Sequence, residues 1–292
     1  MSGAHHNMPA ANGPAPGYRA IRWNMDWITR PLFGLALAGV AIGVLFSAPV
    51  FFACLVVAMT IPAAYEWHRM VGAGATYRVE TAVSSVAVAL AVAALLLLHQ
   101  VWSAMAVLAV GAAGAILLAR SRDRNPLWQA LGVIYLGLPA LALVWLRSFE
   151  PRGALVIVGL FLIVWATDSG ALIFGNLIGG PRMAPKLSPS KTWAGTIGGS
   201  FTAALIFALY IWLLGGALWI AALFGLVFSV TAHLGDLFES FVKRRFGIKN
   251  SGALIPGHGG VLDRMDSTLF ASVAMALLVV LTGFNPLFGV AP

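Results

Sequence analysis

Apolar stretches of seventeen or more residues recur along most of this chain, separated by short polar connections. At 1.5 Å rise per residue, each is long enough as a helix to cross a hydrocarbon core of roughly 30 Å. The pattern predicts spans over residues 31–47, 49–65, 82–99, 101–119, 128–146, 153–174, 193–213, 216–234 and 267–284. The expected fold is therefore all-α, a polytopic integral membrane protein of about nine transmembrane helices, because backbone groups in lipid must satisfy one another within each segment. Residues 1–25 are polar, small and proline-rich, show neither the basic start nor the apolar core of a signal peptide, and read as a disordered tail. The membrane domain is expected over 26–292, with 26–150 as scaffold helices and 151–292 as catalytic helices and loops.

Composition agrees with this pattern. Hydrophobic residues make up 60% of the chain and charged residues only 10%, with a mean hydropathy of +0.90, whereas soluble domains carry about 25% charged residues. The net charge of +8 does not indicate nucleic acid, because its distribution follows the spans. With the N-terminus inside, sixteen of the eighteen Lys and Arg residues fall in inside segments and only Arg147 and Arg152 fall outside. That bias orients the chain with its N-terminus in the cytoplasm. A residual attraction to anionic membrane lipids follows, at about 1 kcal/mol per basic group near the surface. The one cysteine, Cys54, lies in an apolar run and reads as a buried packing thiol, so no disulfide within the chain is possible. Trp23, Trp27, Trp67, Trp102, Trp128 and Trp145 lie near span ends and read as interface anchors. Small residues, among them Gly43, Gly111 and Gly114, are expected to allow close helix contact. Glu66, beside His68 and Arg69, reads as an interfacial salt bridge, with a role in a site as the alternative.

The second half concentrates the polar residues. Ser240–Asp266 holds five of the eighteen basic and two of the ten acidic residues, and a charge at the bilayer centre costs on the order of 2.5–3.5 kcal/mol. Asp168 lies near the inner end of a span; the following connection supplies Lys186, Ser188, Ser190, Lys191 and Thr192. Asp236, Glu239, Ser240 and Lys243 are spaced to share one face if the eighth helix continues, and Asp263 and Asp266 are three apart in LDRMD. Carboxylates without cysteine favour a hard cation held by oxygen, such as magnesium, over zinc. Lys186, Ser190, Lys191, Lys243, Arg244 and Arg264 suit a polyphosphate, and PGHGG offers backbone N–H groups to phosphate oxygens. Metal plus phosphate is the requirement of phosphoryl and nucleotidyl transfer. Neither a Walker A motif nor a GxGxxG fingerprint occurs. On the residues alone two readings stand: a membrane enzyme acting on a phosphate, or an ion-coupled transporter with Asp168 and His233 as a proton relay.

The C-terminal motif resembles that of the phosphatidate cytidylyltransferases, also called CDP-diacylglycerol synthases. Ser240, Val242, Lys243, Arg244, Lys249, Gly252, Ile255, Pro256, Gly257, His258, Gly259, Gly260, Asp263, Arg264, Met265 and Asp266 match the family signature, while Asn250 stands where the family generally has Asp. ATDSGA at 166–171, APKLSPSKTWAG at 184–195 and GDLFES at 235–240 are similar to further family segments. The resemblance implies transfer of CMP from CTP to phosphatidic acid, giving CDP-diacylglycerol and pyrophosphate, at a site facing the cytoplasm from a bacterial-type inner membrane. It implies Asp236, Asp263 and Asp266 as metal ligands for Mg2+, with K+ as a second cation, and Asp168 as a further site carboxylate. Asp236, Asp263, Asp266, Lys243 and Arg264 are then the catalytic candidates. Lys186, Ser188, Ser190, Lys191, Thr192, Ser240, Arg244, Lys249, His258, Gly259, Gly260 and Asp168 are the substrate-binding candidates. The alternatives with this resemblance are a related CTP-dependent transferase or kinase on another membrane lipid, and the transporter. A homodimer is compatible with so compact a membrane protein.

Overall fold

A computed structural model describes residues 39–72, 77–252, 259–285 and 289–290. The chain divides after Val40; of the first unit only Gly39 and Val40, both helical, are described, and the second unit, Ala41–Pro292, holds every other described element. Eight described helices are long and apolar enough to cross a membrane: α1 (Pro49–Val71), α2 (Arg78–Leu98), α3 (Val101–Ser121), α4 (Pro126–Arg147), α5 (Gly153–Ile178), α6 (Trp193–Leu213), α7 (Leu218–Arg245) and α8 (Leu262–Thr282). With these spans the chain is an all-α integral membrane protein. Residues 41–45 are helical as well; residues 31–38 of the first expected span lie outside the described residues, as do the 1–25 tail, Trp23 and Trp27.

Helix α2 starts at Arg78 and α5 runs to Ile178, each four residues beyond its expected span, and three further boundaries differ for a physical reason. Helix α1 runs on to Val71 and α7 to Arg245, because Glu66, Trp67, His68 and Met70 on α1 and Glu239, Ser240 and Val242 on α7 are buried against protein. Helix α8 starts at Leu262, so Asp263 stands in its first turn, where the free N–H groups of a helix start favour negative charge. The connection after α5 forms an antiparallel hairpin, β1 (Arg182–Ala184) with β2 (Ser188–Thr192), pairing Arg182 with Thr192 and Ala184 with Ser188. A second short pair, β3 (Phe284–Asn285) with β4 (Gly289–Val290), comes after α8.

Helix α4 is the most buried and packs on α1, α2, α3 and α8. Its start is capped by Asn125, whose Oδ1 accepts from the Leu127 amide at 3.0 Å. At its far end the buried Arg147 donates to the carbonyls of Leu45 at 2.8 Å and Ser47 at 2.5 Å and pairs with Glu150. This arginine holds a turn of the chain and is not a free surface charge.

Helices α5 and α6 lie along each other and approach closely through glycine. A Cβ added at Gly199 would stand 2.5 Å from the Thr167 carbonyl, and one at Gly195 2.7 Å from that of Ala171. Gly111 meets Ala87 in the expected manner, whereas Gly43 and Gly114 face open space.

Two other expectations are corrected. Trp67 is fully buried, packs on Trp128 and Tyr135, and donates its indole N–H to the Trp128 carbonyl; the aromatic cluster behind it supplies the partner an interface would otherwise provide. Cys54 is exposed on α1, because a small apolar thiol is as well solvated by hydrocarbon as by a protein core.

Candidate active site

The polar ends of four helices and the hairpin enclose a cavity of about 720 Å3. Helix α5 contributes Asp168 and Asn176, the hairpin Arg182, Ser190, Lys191 and Thr192, and the start of α6 Thr196. Helix α7 brings His233, Asp236 and Lys243, and the first turns of α8 bring Asp263, Arg264, Asp266 and Ser267. The spacing of Asp236, Glu239, Ser240 and Lys243 is used as the sequence implied, because α7 continues to Arg245.

The hairpin is fastened at several points. Arg182 Nη1 donates to the Ser190 carbonyl at 3.1 Å, closing the two strands on each other. Thr192 Oγ1 accepts from the Gly195 amide at 3.1 Å and so caps α6, satisfying one of the N–H groups that a helix start leaves unpaired. Arg244 Nε donates to the Leu187 carbonyl at 3.2 Å, and its Nη1 to the Ile248 carbonyl at 3.3 Å. Arg244 therefore braces the hairpin from α7 and does not line the cavity.

Opposite charges meet inside. Lys191 pairs with Asp236, which also accepts a long bond from Ser240 Oγ at 3.5 Å. Lys243 Nζ lies 2.7 Å from Asp263 Oδ1 and 3.4 Å from Glu239 Oε1. Glu239 is fully buried, with Lys243 as its cation and the carboxyls of Asp263 and Asp266 beside it. Asp263 also accepts from the amides of Ser251 and Gly260, each at 3.1 Å to Oδ2. The Gly260 N–H is thereby committed to a carboxylate instead of being presented to a phosphate.

Among the described residues no three carboxylate, imidazole or thiol groups converge on one point in the manner of a metal cage. The donor set still suits a hard cation. Asp168 stands within electrostatic reach of Asp236, and Asp266 within reach of both, so three negative groups share a cavity wall with Lys191 as the cation on Asp236. Magnesium is commonly held by one or two carboxylates with substrate phosphate completing the shell.

The other expected residues that are described do not line this cavity. Lys186 and Lys249 are exposed, Ser188 is half-buried in β2 and Ser240 is buried on α7; none lines the cavity. Gly259 has φ +84°, a conformation that suits glycine. His258 lies outside the described residues. Asn250 is exposed and does not line the cavity either.

The sequence singles out His233 only in the transporter reading and does not point to Arg182, Asn176, Thr196 or Ser267 as part of this site. His233 is 8% exposed, and its Nε2 donates to the Thr196 carbonyl at 3.3 Å. Its place three residues before Asp236 was the available signal, since that spacing shares a helix face. For Glu66 the sequence favours an interfacial salt bridge, with a role in a site as the alternative. It is instead fully buried and accepts hydrogen bonds from Ser251, Val261 and Leu262.

Fold and cavity together define a polytopic membrane protein with a charged site built from the polar ends of its helices. Residues 28–282 match the cytidylyltransferase family, and the chain belongs to that family. It is 45% identical over 166 residues to a phosphatidate cytidylyltransferase of Brucella melitensis, covering 56% of this chain and 61% of that protein. It is 39% identical over 153 residues to a phosphatidate cytidylyltransferase of Staphylococcus saprophyticus, covering 51% of this chain and 57% of that one. The matched part thus spans about three fifths of these relatives' length.

Proposed function

We propose that this protein transfers CMP from CTP to phosphatidic acid. A phosphate oxygen of the lipid attacks the α-phosphorus of CTP, the bond from that phosphorus to the bridging oxygen breaks, and pyrophosphate leaves as CDP-diacylglycerol forms. No enzyme nucleophile is needed, because the lipid phosphate supplies one. The observation that carries the reading is the cavity of about 720 Å3, lined by acidic and basic groups at the polar ends of membrane helices, in a chain whose relatives carry this name.

The roles follow from chemistry. Catalysis of such a transfer consists mainly of holding the reacting groups in line and offsetting the charge that develops. Arg182, Lys191 and Arg264 line the cavity and suit the triphosphate and the lipid phosphate. Lys243, held between Asp263 and Glu239, fixes the position of Asp263. Asp236 and Asp266, with Asp168 nearby, are the groups we assign to holding Mg2+, and Asp263 is occupied by Lys243 and two amides. When bound, that ion supplies Lewis acidity and charge neutralisation at the transferring phosphoryl group. The apolar outer faces of the helices suit the acyl chains of the substrate. A cytoplasm-facing cavity in an inner membrane is supported by the basic bias of the connections and by the cytosolic supply of CTP.

The test is purified protein in detergent with labelled CTP, magnesium and phosphatidic acid. CDP-lipid and pyrophosphate are expected in equal amounts. Folded protein that yields neither overturns the reading, and product formed only from another lipid phosphate reassigns the acceptor.

A further inference from the structure

Glu66 lies on α1, in the first half of the chain, yet every hydrogen bond described for its carboxylate comes from the second half. The residue is fully buried. Its Oε2 accepts from Ser251 Oγ at 3.1 Å and from the Leu262 amide at 2.9 Å, and its Oε1 from the Val261 amide at 3.0 Å. Val261 and Leu262 are the cap and first residue of α8, whose N–H groups have no acceptor within the helix. A distant carboxylate therefore serves as the cap, with a charge that suits a helix N-terminus.

The backbone is shaped around this group. A Cβ added at Gly252 would collide with Glu66 Oε1, and one at Gly260 would stand 2.6 Å from Oε2. No side chain fits at either place without displacing the carboxylate. Asp263 holds the same two stretches from the cavity side, accepting from the amides of Ser251 and Gly260. Ser251 thus bonds to both carboxylates, through its hydroxyl to Glu66 and through its amide to Asp263.

We infer that Glu66 is a positioning residue for the transfer proposed above. It does not line the cavity; it fixes the start of α8, and with it Asp263 and Asp266 in the first turns of that helix. The kinetic part of this inference rests on the proposed function; the structural part does not. A displacement of about 1 Å in groups that must align a reaction costs on the order of a hundredfold in rate.

The experiment compares the full-length wild type with Glu66→Gln and Glu66→Asp in detergent. An amide replaces one acceptor oxygen by a donor, so in either orientation it faces an N–H group of Val261 or Leu262. Glu66→Gln is expected to lower kcat by about a hundredfold, with KM for CTP little changed, and to speed hydrogen exchange across 259–270 while exchange in α5 stays at the wild-type rate. Glu66→Asp keeps the charge with a shorter reach and is expected to fall between wild type and Glu66→Gln in both readouts. If Glu66→Gln does not fold, Glu66→Asp decides by the same measurements. Wild-type kcat and exchange in the variants overturn the inference, as does a loss of activity that only tracks the loss of folded protein. A wild type that makes no CDP-lipid defeats the proposed function instead, and the exchange rates still decide whether Glu66 anchors α8.

Discussion

Asp266 and Asn250 belong to the same C-terminal motif and are expected to respond in opposite ways to substitution. Asp266 lines the cavity, accepts from the Ser267 amide at 2.7 Å, and stands within reach of the charges of Asp236 and Asp168. Asp266→Ala removes a carboxylate that we assign to holding Mg2+, and groups that offset developing charge are each worth roughly 10²–10³ in rate. Asp266→Ala is therefore expected to lower kcat/KM by about that factor while the protein still inserts and keeps its helical content, measured by CDP-lipid formation and circular dichroism. Normal magnesium-dependent turnover in that variant would remove Asp266 from the site. Asn250, by contrast, is exposed and does not line the cavity. Exposed substitutions typically change free energies by no more than about 0.5 kcal/mol, so Asn250→Asp is expected to keep turnover within about twofold. The resemblance implies Asp266 as a metal ligand and marks Asn250 only as a departure from the signature.

The junction between the hairpin and α6 is where a small change at the level of elements should reach the site. Thr192 caps α6, and its neighbour Lys191 pairs with Asp236 on α7. Thr192→Ala is expected to cost about 1 kcal/mol and to raise KM for CTP, because Lys191 is released from a fixed strand end, whereas Thr192→Ser should restore both. Thermal unfolding in detergent and initial rates read the two effects, and an unchanged KM would detach the cap from substrate binding. The helices themselves were largely legible, since hydrophobic length and the three-to-four-residue spacing of Asp236, Glu239, Ser240 and Lys243 are local properties. The hairpin was not. PRMAPKLSPSKT holds three prolines and little alternation, so nothing local announces strands, and the pairing depends on Arg182, on the β1–β2 register and on Arg244 reaching from α7.

Across the whole molecule, the distribution of basic residues predicts that the hairpin lies inside and the connection between α4 and α5 outside. In a Cys54→Ser background, Lys186→Cys is expected to resist an impermeant thiol reagent in right-side-out vesicles and to react in inverted ones. Ser148→Cys should do the reverse. Both positions are exposed, so labelling reads sidedness and not burial, and the opposite pattern would invert the orientation. At this scale the expected scaffold and catalytic helices are also joined, because α1 reaches through Glu66 to the start of α8.

Taken by itself, the sequence determined that this is a helical membrane protein and, to within several residues, where its described helices run. Those properties derive from length, hydropathy and charge bias, which a bilayer reads one segment at a time. Tertiary structure alone decided that Asp263 is held by Lys243 and two amides, that Arg244 braces a hairpin, and that Glu66 caps a helix 195 residues away in the chain. Hydrogen bonds of this kind join groups with no local relation in sequence. They form because a buried carboxylate must find donors wherever packing brings them.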